Sequence, residues 1–346
     1  MLELVVIADD FTGALDTGVQ FSKRGISTFV CTDTGLDLET VDKDVKVLVM
    51  NAETRHLPPE DAYGIIRSIV CRVRASNVEY IYKKVDSTLR GNIGSELAAV
   101  MDEWPCSELM FIPAYPKTGR TTLDGHQLVK GVPVHKTPYV KDPLNPVLNS
   151  FIPDIIRRQA DADTTIVSRG ETPDFQYSST SGRKVVYVFD CETDEDLSDT
   201  GAVLKSLQRL RITAGCAGFA EILPELLDLG GEVESLRHQN GTMLVVCGSM
   251  NELSMRQVKY AENLGFQSMV LSPCEKLSGS FLNTKDGCLR LQRIVESIKG
   301  GTDFIITTAN STEEAVDSPP SIVAENLGRL AGEILGRAKI DILVVF

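Results

Sequence analysis

The chain has 346 residues, 42% of them apolar and 24% charged, and a formal net charge of −13. That length and balance suit a globular protein with one large or two ordinary domains, and the acidity argues against nucleic acid or an anionic membrane surface as the main partner. No apolar run approaches the roughly 18–20 residues that span a bilayer, residues 1–10 reach acidic side chains without a basic segment, and the eight cysteines form no CxxC pair. The expectation is a cytoplasmic protein with reduced thiols that handles a small molecule.

The first predicted strand, residues 2–8, leads into Asp9-Asp10-Phe11-Thr12-Gly13 and a helix over 14–24. Adjacent carboxylates at the exit of a buried strand can ligate a cation, accept bonds from substrate hydroxyls or act as a general base. One of them can equally cap the helix. The Asp-x-Asp of a haloacid dehalogenase phosphatase is not met, because Thr12 stands two places after Asp10. Strands are predicted at 27–32, 45–51, 79–85 and 108–114, with helices at 59–75 and 92–103 between them. Apolar runs alternating with single helices indicate parallel strands buried on both faces, whose ligands bind at the carboxyl edge.

The strand at 79–85 runs into Lys83-Lys-Val-Asp-Ser-Thr-Leu-Arg-Gly91. Lys83, Lys84 and Arg90 bracket Asp86, Ser87 and Thr88 before a helix, where backbone N–H groups and the helix dipole attract anions and an arginine can grip a carboxylate with two bonds. Alternation sends Lys83 and Lys84 to opposite faces of a sheet that helices cover, which leaves little room for a merely solvated pair. Between Pro113 and Pro146, six prolines and three glycines mark a long irregular segment holding Tyr115, Lys117, Arg120, Thr121, Asp124 and His126. We expect an ordered binding loop there. His126 and His135 read as structural residues.

A strand follows at 184–190. The polar stretch 229–241 separates a first domain, 1–235, from a second, 240–346. Strands are predicted there at 242–249, 267–272, 303–308 and 342–346, with helices at 252–264, 289–299 and 321–337. The first of these strands ends in Gly248-Ser249, with Asn251 and Ser254 at the helix start. This reads equally as a nucleotide phosphate loop or an ordinary capped turn. No Walker or dinucleotide fingerprint and no Gly-x-Ser-x-Gly follows a strand. The fold class is α/β: two three-layer α/β/α domains with mainly parallel sheets.

Taken in order, Ile7-Ala-Asp-Asp-Phe-Thr-Gly-Ala14, Asp16-Thr-Gly-Val-Gln-Phe21, Lys84-Val-Asp-Ser-Thr-Leu-Arg-Gly91 and Gly119-Arg-Thr-Thr-Leu-Asp-Gly125 resemble the four-carbon acid sugar kinase family. Arg55-His-Leu-Pro-Pro-Glu60 and Gly131-Val-Pro-Val134 are similar to its segments too. The resemblance implies an ATP- and Mg²⁺-dependent kinase acting on a hydroxyl of threonate, erythronate or 3-oxo-tetronate, with a sugar-acid domain followed by a nucleotide domain. It implies that Asp9 and Asp10 hold substrate hydroxyls and that one of them is the base. Lys84, Asp86, Ser87, Arg90 and Arg120 would line the substrate site, with Arg90 as carboxylate partner, and Ser249, Asn251 and Ser254 would lie at the nucleotide. No resident metal ligand is assigned among the side chains, and a homodimer is left open. The family carries a glycine-rich ATP loop after the strand that here reaches Phe346. The sequence ends without it, so the second reading is a truncated, non-catalytic sugar-acid-binding protein.

Overall fold

The computed structural model describes residues 2–76, 78–104, 106–142, 144–172, 175, 183–231, 241–250, 252–309 and 319–345. Strand β1 (Leu4–Ala8) is buried at every position, as its unbroken Leu-Val-Val-Ile-Ala sequence requires of a strand covered on both faces. It lies between β3 (Val47–Asn51) and β4 (Tyr80–Lys84), parallel to both. With β2 (Thr28–Cys31), β5 (Glu108–Ile112), β9 (Asp163–Val167), β10 (Val185–Phe189) and β11 (Ile212–Gly215) these form an eight-stranded parallel sheet. Its order is β2-β3-β1-β4-β11-β5-β10-β9. The missing numbers belong to a three-stranded antiparallel sheet, β6 (Arg120–Leu123), β7 (His126–Val129) and β8 (Val132–Pro133).

Helices cover both faces. The apolar stripes of α2 (Pro59–Ala75), α3 (Ile93–Glu103) and α4 (Ile152–Arg157) enter one core, through Ile66, Ile69, Val73, Leu97, Val100 and Ile156. Helices α1 (Phe11–Ser22), α5 (Asp194–Ser206), α6 (Ala217–Ala220) and α7 (Leu223–Leu226) enter the other, through Phe21, Leu197, Leu204, Phe219 and Leu223. At roughly 1.5–3 kcal/mol for each large aliphatic or aromatic side chain removed from water, these two layers hold the strand exits in place.

Contacts divide the chain into two units, Met1–Glu234 and Ser235–Phe346. In the second, β12 (Met243–Cys247), β13 (Gln267–Val270), β14 (Phe304–Thr307) and β15 (Ile342–Val345) form a parallel sheet in the order β13-β14-β12-β15. Helices α9 (Pro273–Leu277), α10 (Lys285–Lys299) and α11 (Pro320–Leu335) accompany it, with Leu291, Ile294 and Leu330 in one core, and α8 (Glu252–Asn263) places Val258 in a second.

The predicted irregular segment after Pro113 is ordered, and much of it is a hairpin. Asp124 and Gly125 both have positive φ, 50° and 69°, in the two-residue turn between β6 and β7, the backbone that an Asp-Gly pair favours. Two strands of the main sheet escaped the sequence reading. Strand β9 begins with the polar Asp163-Thr-Thr, and β11 has only four residues, although it occupies the middle of the sheet.

Candidate functional site

The chain order places β2 and β3 on one side of β1 and β4 on the other, so successive connections diverge at this point of the sheet. A crevice at the carboxyl edge follows from such a switch. Ala8 is in register with Asn51 on one side and Lys84 on the other. The loops after β3, β1 and β4 therefore emerge together, and they carry Arg55, Asp9 with Asp10, and Asp86 with Arg90.

Arg55 joins the three loops. Its Nε lies 2.7 Å from Asp9 Oδ2 and its Nη1 2.5 Å from Asp10 Oδ2, while Nη2 stands 3.8 Å from Asp86 Oδ1. Asp9 is 2% exposed, and its Oδ1 is buried without a hydrogen-bond partner among the described residues. Asp10 is more open and caps α1, its Oδ1 accepting the Gly13 N–H at 2.8 Å. Burial and the neighbouring Asp9 charge push the Asp10 carboxyl above the ordinary aspartate value, against the opposing pull of Arg55 and Lys84. Burial alone would lower Arg55, but the charges of Asp9, Asp86 and Asp10 outweigh it and raise the guanidinium further.

Asp86 and Arg90 form a two-pronged pair, Nε to Oδ2 at 3.0 Å and Nη2 to Oδ1 at 3.0 Å. Thr88 donates to the same carboxylate through its N–H at 3.1 Å and through its hydroxyl. Burial would raise the Asp86 carboxyl, but the hydrogen bonds and charge of Arg90, with Arg55 and Thr88, hold it well below the usual carboxylate range. Arg90 also reaches Asp142 Oδ2 at 3.2 Å and lies 5.6 Å from the Tyr139 ring centroid. The Tyr139 hydroxyl accepts a bond from Arg120 Nη2 at 3.2 Å. Arg120 opens β6, and its hairpin is tied to the edge of the main sheet where Asp190 accepts the N–H groups of Asp124 and Gly125 at 2.8 and 3.0 Å. Asp10, Arg55, Asp86, Arg90, Tyr139 and Arg120 thus form one chain of contacts. A cavity of about 300 Å³ opens beside Arg90, lined also by Asn92, Asn145, Asn149, Arg158 and Gln159.

Lys84 differs from the other cations here. It is 5% exposed, its Nζ donates to the Val85 carbonyl at 2.8 Å, and it pairs with no carboxylate among the described residues. Ser87 is half-buried, and its carbonyl accepts from Gln127 Nε2 of the hairpin at 2.8 Å.

Of the expected substrate residues, Asp10, Asp86, Arg90 and Arg120 are therefore linked and Lys84 stands beside the start of α1, with Asp9 set behind Asp10 as the partner of Arg55, while the contact of Ser87 is to the hairpin. Arg55 falls within one of the family-like segments without standing out in the sequence as a site residue. Its signal was position: it follows β3, the neighbour of β1, at the same edge. Tyr139 and Asp142 left no comparable trace. His126 and His135 each bond the buried Ser150 hydroxyl through Nδ1 at 3.0 Å, a structural arrangement. Lys117 pairs with Glu221 at 2.9 Å. In the second unit, Ser254 donates to Ser249 Oγ at 3.0 Å at the exit of β12. Asn251 lies outside the described residues. No helix among the described residues is long and apolar enough to cross a membrane.

Residues 4–223 match the family model described as a sugar-binding N-terminal domain. A D-threonate kinase of Salmonella typhimurium is 33% identical over 266 residues, covering 75% of this chain and 61% of that protein. A D-erythronate kinase of Heliobacterium modesticaldum is 29% identical over 277 residues, 76% of this chain and 61% of that protein. The chain spans about three-fifths of the length of these curated relatives. Among solved structures, one from Salmonella typhimurium superposes with a TM-score of 0.81 at 20% identity, covering 100% of this chain and 85% of that one, a likeness of fold. A DUF1537 domain from Bordetella bronchiseptica, a domain-swapped dimer with bound citrate, gives 0.56 at 25% identity over 99% of this chain and 82% of that one. On the match across 4–223, the chain belongs to the four-carbon acid sugar kinase family, whose sugar-binding N-terminal domain it carries.

Proposed function

We propose that the protein transfers a phosphoryl group from ATP to a hydroxyl of a four-carbon sugar acid, threonate, erythronate or 3-oxo-tetronate, bound at the edge formed by β3, β1 and β4. The observation that carries this reading is Lys84, a buried ammonium whose one hydrogen bond goes to a carbonyl and which stands at the start of α1 near Asp10 without a close ion pair. Only one of its three N–H donors has a hydrogen-bond acceptor among the described residues, so a sugar carboxylate can take the others. Asp10, more open and with its carboxyl pushed up, is the better base toward the accepting hydroxyl, and Asp9 orients Arg55.

Phosphoryl transfer asks for positioning and charge neutralisation more than covalent chemistry. The hydroxyls of Ser249 and Ser254 suit a polar phosphate or ribose contact, and we assign the nucleotide to that strand exit, with Asn251 between them in sequence. When bound, Mg²⁺-ATP supplies the phosphoryl group and its charge-shielding ion; Mg²⁺ of this kind is held chiefly by nucleotide phosphates. Kinase names among the relatives support the reaction class, and citrate on a relative's structure supports a hydroxy-acid ligand.

The test is a panel of the three acids with ATP and Mg²⁺. ADP release with at least one acid supports the proposal, and release with none refutes it. A melting temperature raised by an acid but not by ATP favours the second reading, a sugar-acid-binding protein without turnover.

A further inference from the structure

Strand alternation separates the neighbours Lys83 and Lys84. Lys84 faces α1. Lys83 faces α3, where it is 0% exposed against a Glu96 that is 1% exposed. The three N–H donors of Lys83 have three acceptors: Glu96 Oε2 at 2.6 Å, the Lys84 carbonyl at 2.6 Å and the Ile7 carbonyl at 3.2 Å. Ile7 and Lys84 stand at the exits of neighbouring parallel strands, in the register that sets Ile7 beside Lys83 and Ala8 beside Lys84. Two residues beyond Ile7 lies Asp9, and two beyond Lys84 lies Asp86. Glu96 sits in the first turn of α3, the helix that the 85–92 loop enters. One ammonium therefore holds both strand exits, and its partner holds the far end of the loop that carries Asp86, Ser87 and Arg90.

Stability does not explain such a pair. Desolvation offsets much of the attraction between buried ions, and replacing both partners with apolar side chains of similar volume is often neutral or stabilising. Met and Leu fill the same space, but they cannot fix two carbonyls relative to one another. We propose that Lys83 and Glu96 are positioning residues. They hold the exits of β1 and β4 at the spacing at which Asp9 and Asp10 from one strand, and Asp86 and Arg90 from the other, act on a single ligand. The identity of that ligand rests on the proposed function; the clamp itself does not.

The experiment compares the wild-type chain with the double variant Lys83→Met/Glu96→Leu and with Glu96→Gln, which keeps an acceptor for Lys83. Without any ligand, amides of residues 86–91 should exchange about tenfold faster or more in the double variant, with β1 and β5 protected as before. Glu96→Gln should show a smaller increase. In turnover assays the double variant should raise the tetronate KM and lower kcat while leaving the ATP KM unchanged, a split that general loss of stability does not produce. Wild-type exchange at 86–91 in both variants overturns the proposal, as does an increase spread evenly through residues 1–234. If the double variant does not fold, exchange in Glu96→Gln decides between these outcomes. If the wild type turns over no tetronate, the proposed function fails and the clamp is judged on exchange alone.

Discussion

Lys84 and Gly13 meet so closely that a Cβ on Gly13 would stand 2.8 Å from Lys84 Nζ, and 2.6 Å from Asp10 Oδ1. The start of α1 is thus shaped to admit an ammonium and a carboxylate at once. Gly13→Ala suits a helix, so the fold should persist. Its methyl group must displace Asp10 or Lys84, and tetronate affinity should fall about tenfold or more, ~1.4 kcal/mol. Calorimetric titration beside a melting curve separates the two effects; unchanged affinity would show that the close approach is irrelevant to the site.

Removing Lys84 should weaken binding without weakening the fold. Lys84→Met deletes one hydrogen bond to Val85 and the longer-range attraction to Asp10, but also the desolvation cost of a buried ammonium. We expect unfolding free energy to stay within about 1 kcal/mol of wild type or to rise. Acid affinity should drop by roughly 1.5–3 kcal/mol, the worth of a hydrogen bond to a charged group. Urea unfolding and titration of the same preparation check both.

Arg55→Ala should do the opposite to stability. It leaves the buried Asp9 carboxylate without its partner at 2.7 Å, a loss of about 3–5 kcal/mol for a broken buried pair. Gly91, with φ +90° and its Cα facing Arg55, is part of the same fit: a Cβ there would lie 3.1 Å from Arg55 Cγ and 3.3 Å from the Arg55 carbonyl. A small loss on Arg55→Ala, under ~1 kcal/mol, would mean that Asp9 is reached by water.

The two central carboxylates predict pH effects of opposite sign. Asp86 is held below its unfolded value. It stabilises the fold above the ordinary aspartate pKa of about 3.9, and that contribution fades as the pH falls from there toward its folded value. Stability should therefore drop more steeply between pH 5 and 2.5 in wild type than in Asp86→Asn. Asp10 is raised, so its contribution is present at low pH and lost as the pH climbs through its folded value. Asp10→Asn, still a good helix cap, should unfold at neutral pH no more easily than wild type while losing turnover. The acid limb of kcat/KM should lie above about pH 3.9.

Much of this site was legible in the chain because parallel sheets concentrate polar side chains at strand exits. The unbroken apolar run before Asp9 and the apolar-to-basic run Tyr80-Ile-Tyr-Lys-Lys84 announced two such exits. That the exits are neighbours was not legible, since it depends on strand order, which no periodicity records. Arg55 became meaningful only once β3 was seen beside β1. Tyr139 and Asp142 reach Arg90 from about fifty residues away through a hairpin whose path no periodicity encodes. The opposite faces of Lys83 and Lys84 did follow from alternation, and each found a different role.

The central claim is that this edge takes an anionic, hydroxylated four-carbon ligand. Calorimetric titration with D-threonate, D-erythronate and 3-oxo-tetronate, set against an uncharged four-carbon polyol, tests it most directly. At least one acid should bind about tenfold or more tightly than the polyol. Binding by none of the acids, or equal binding of the polyol, would contradict the account.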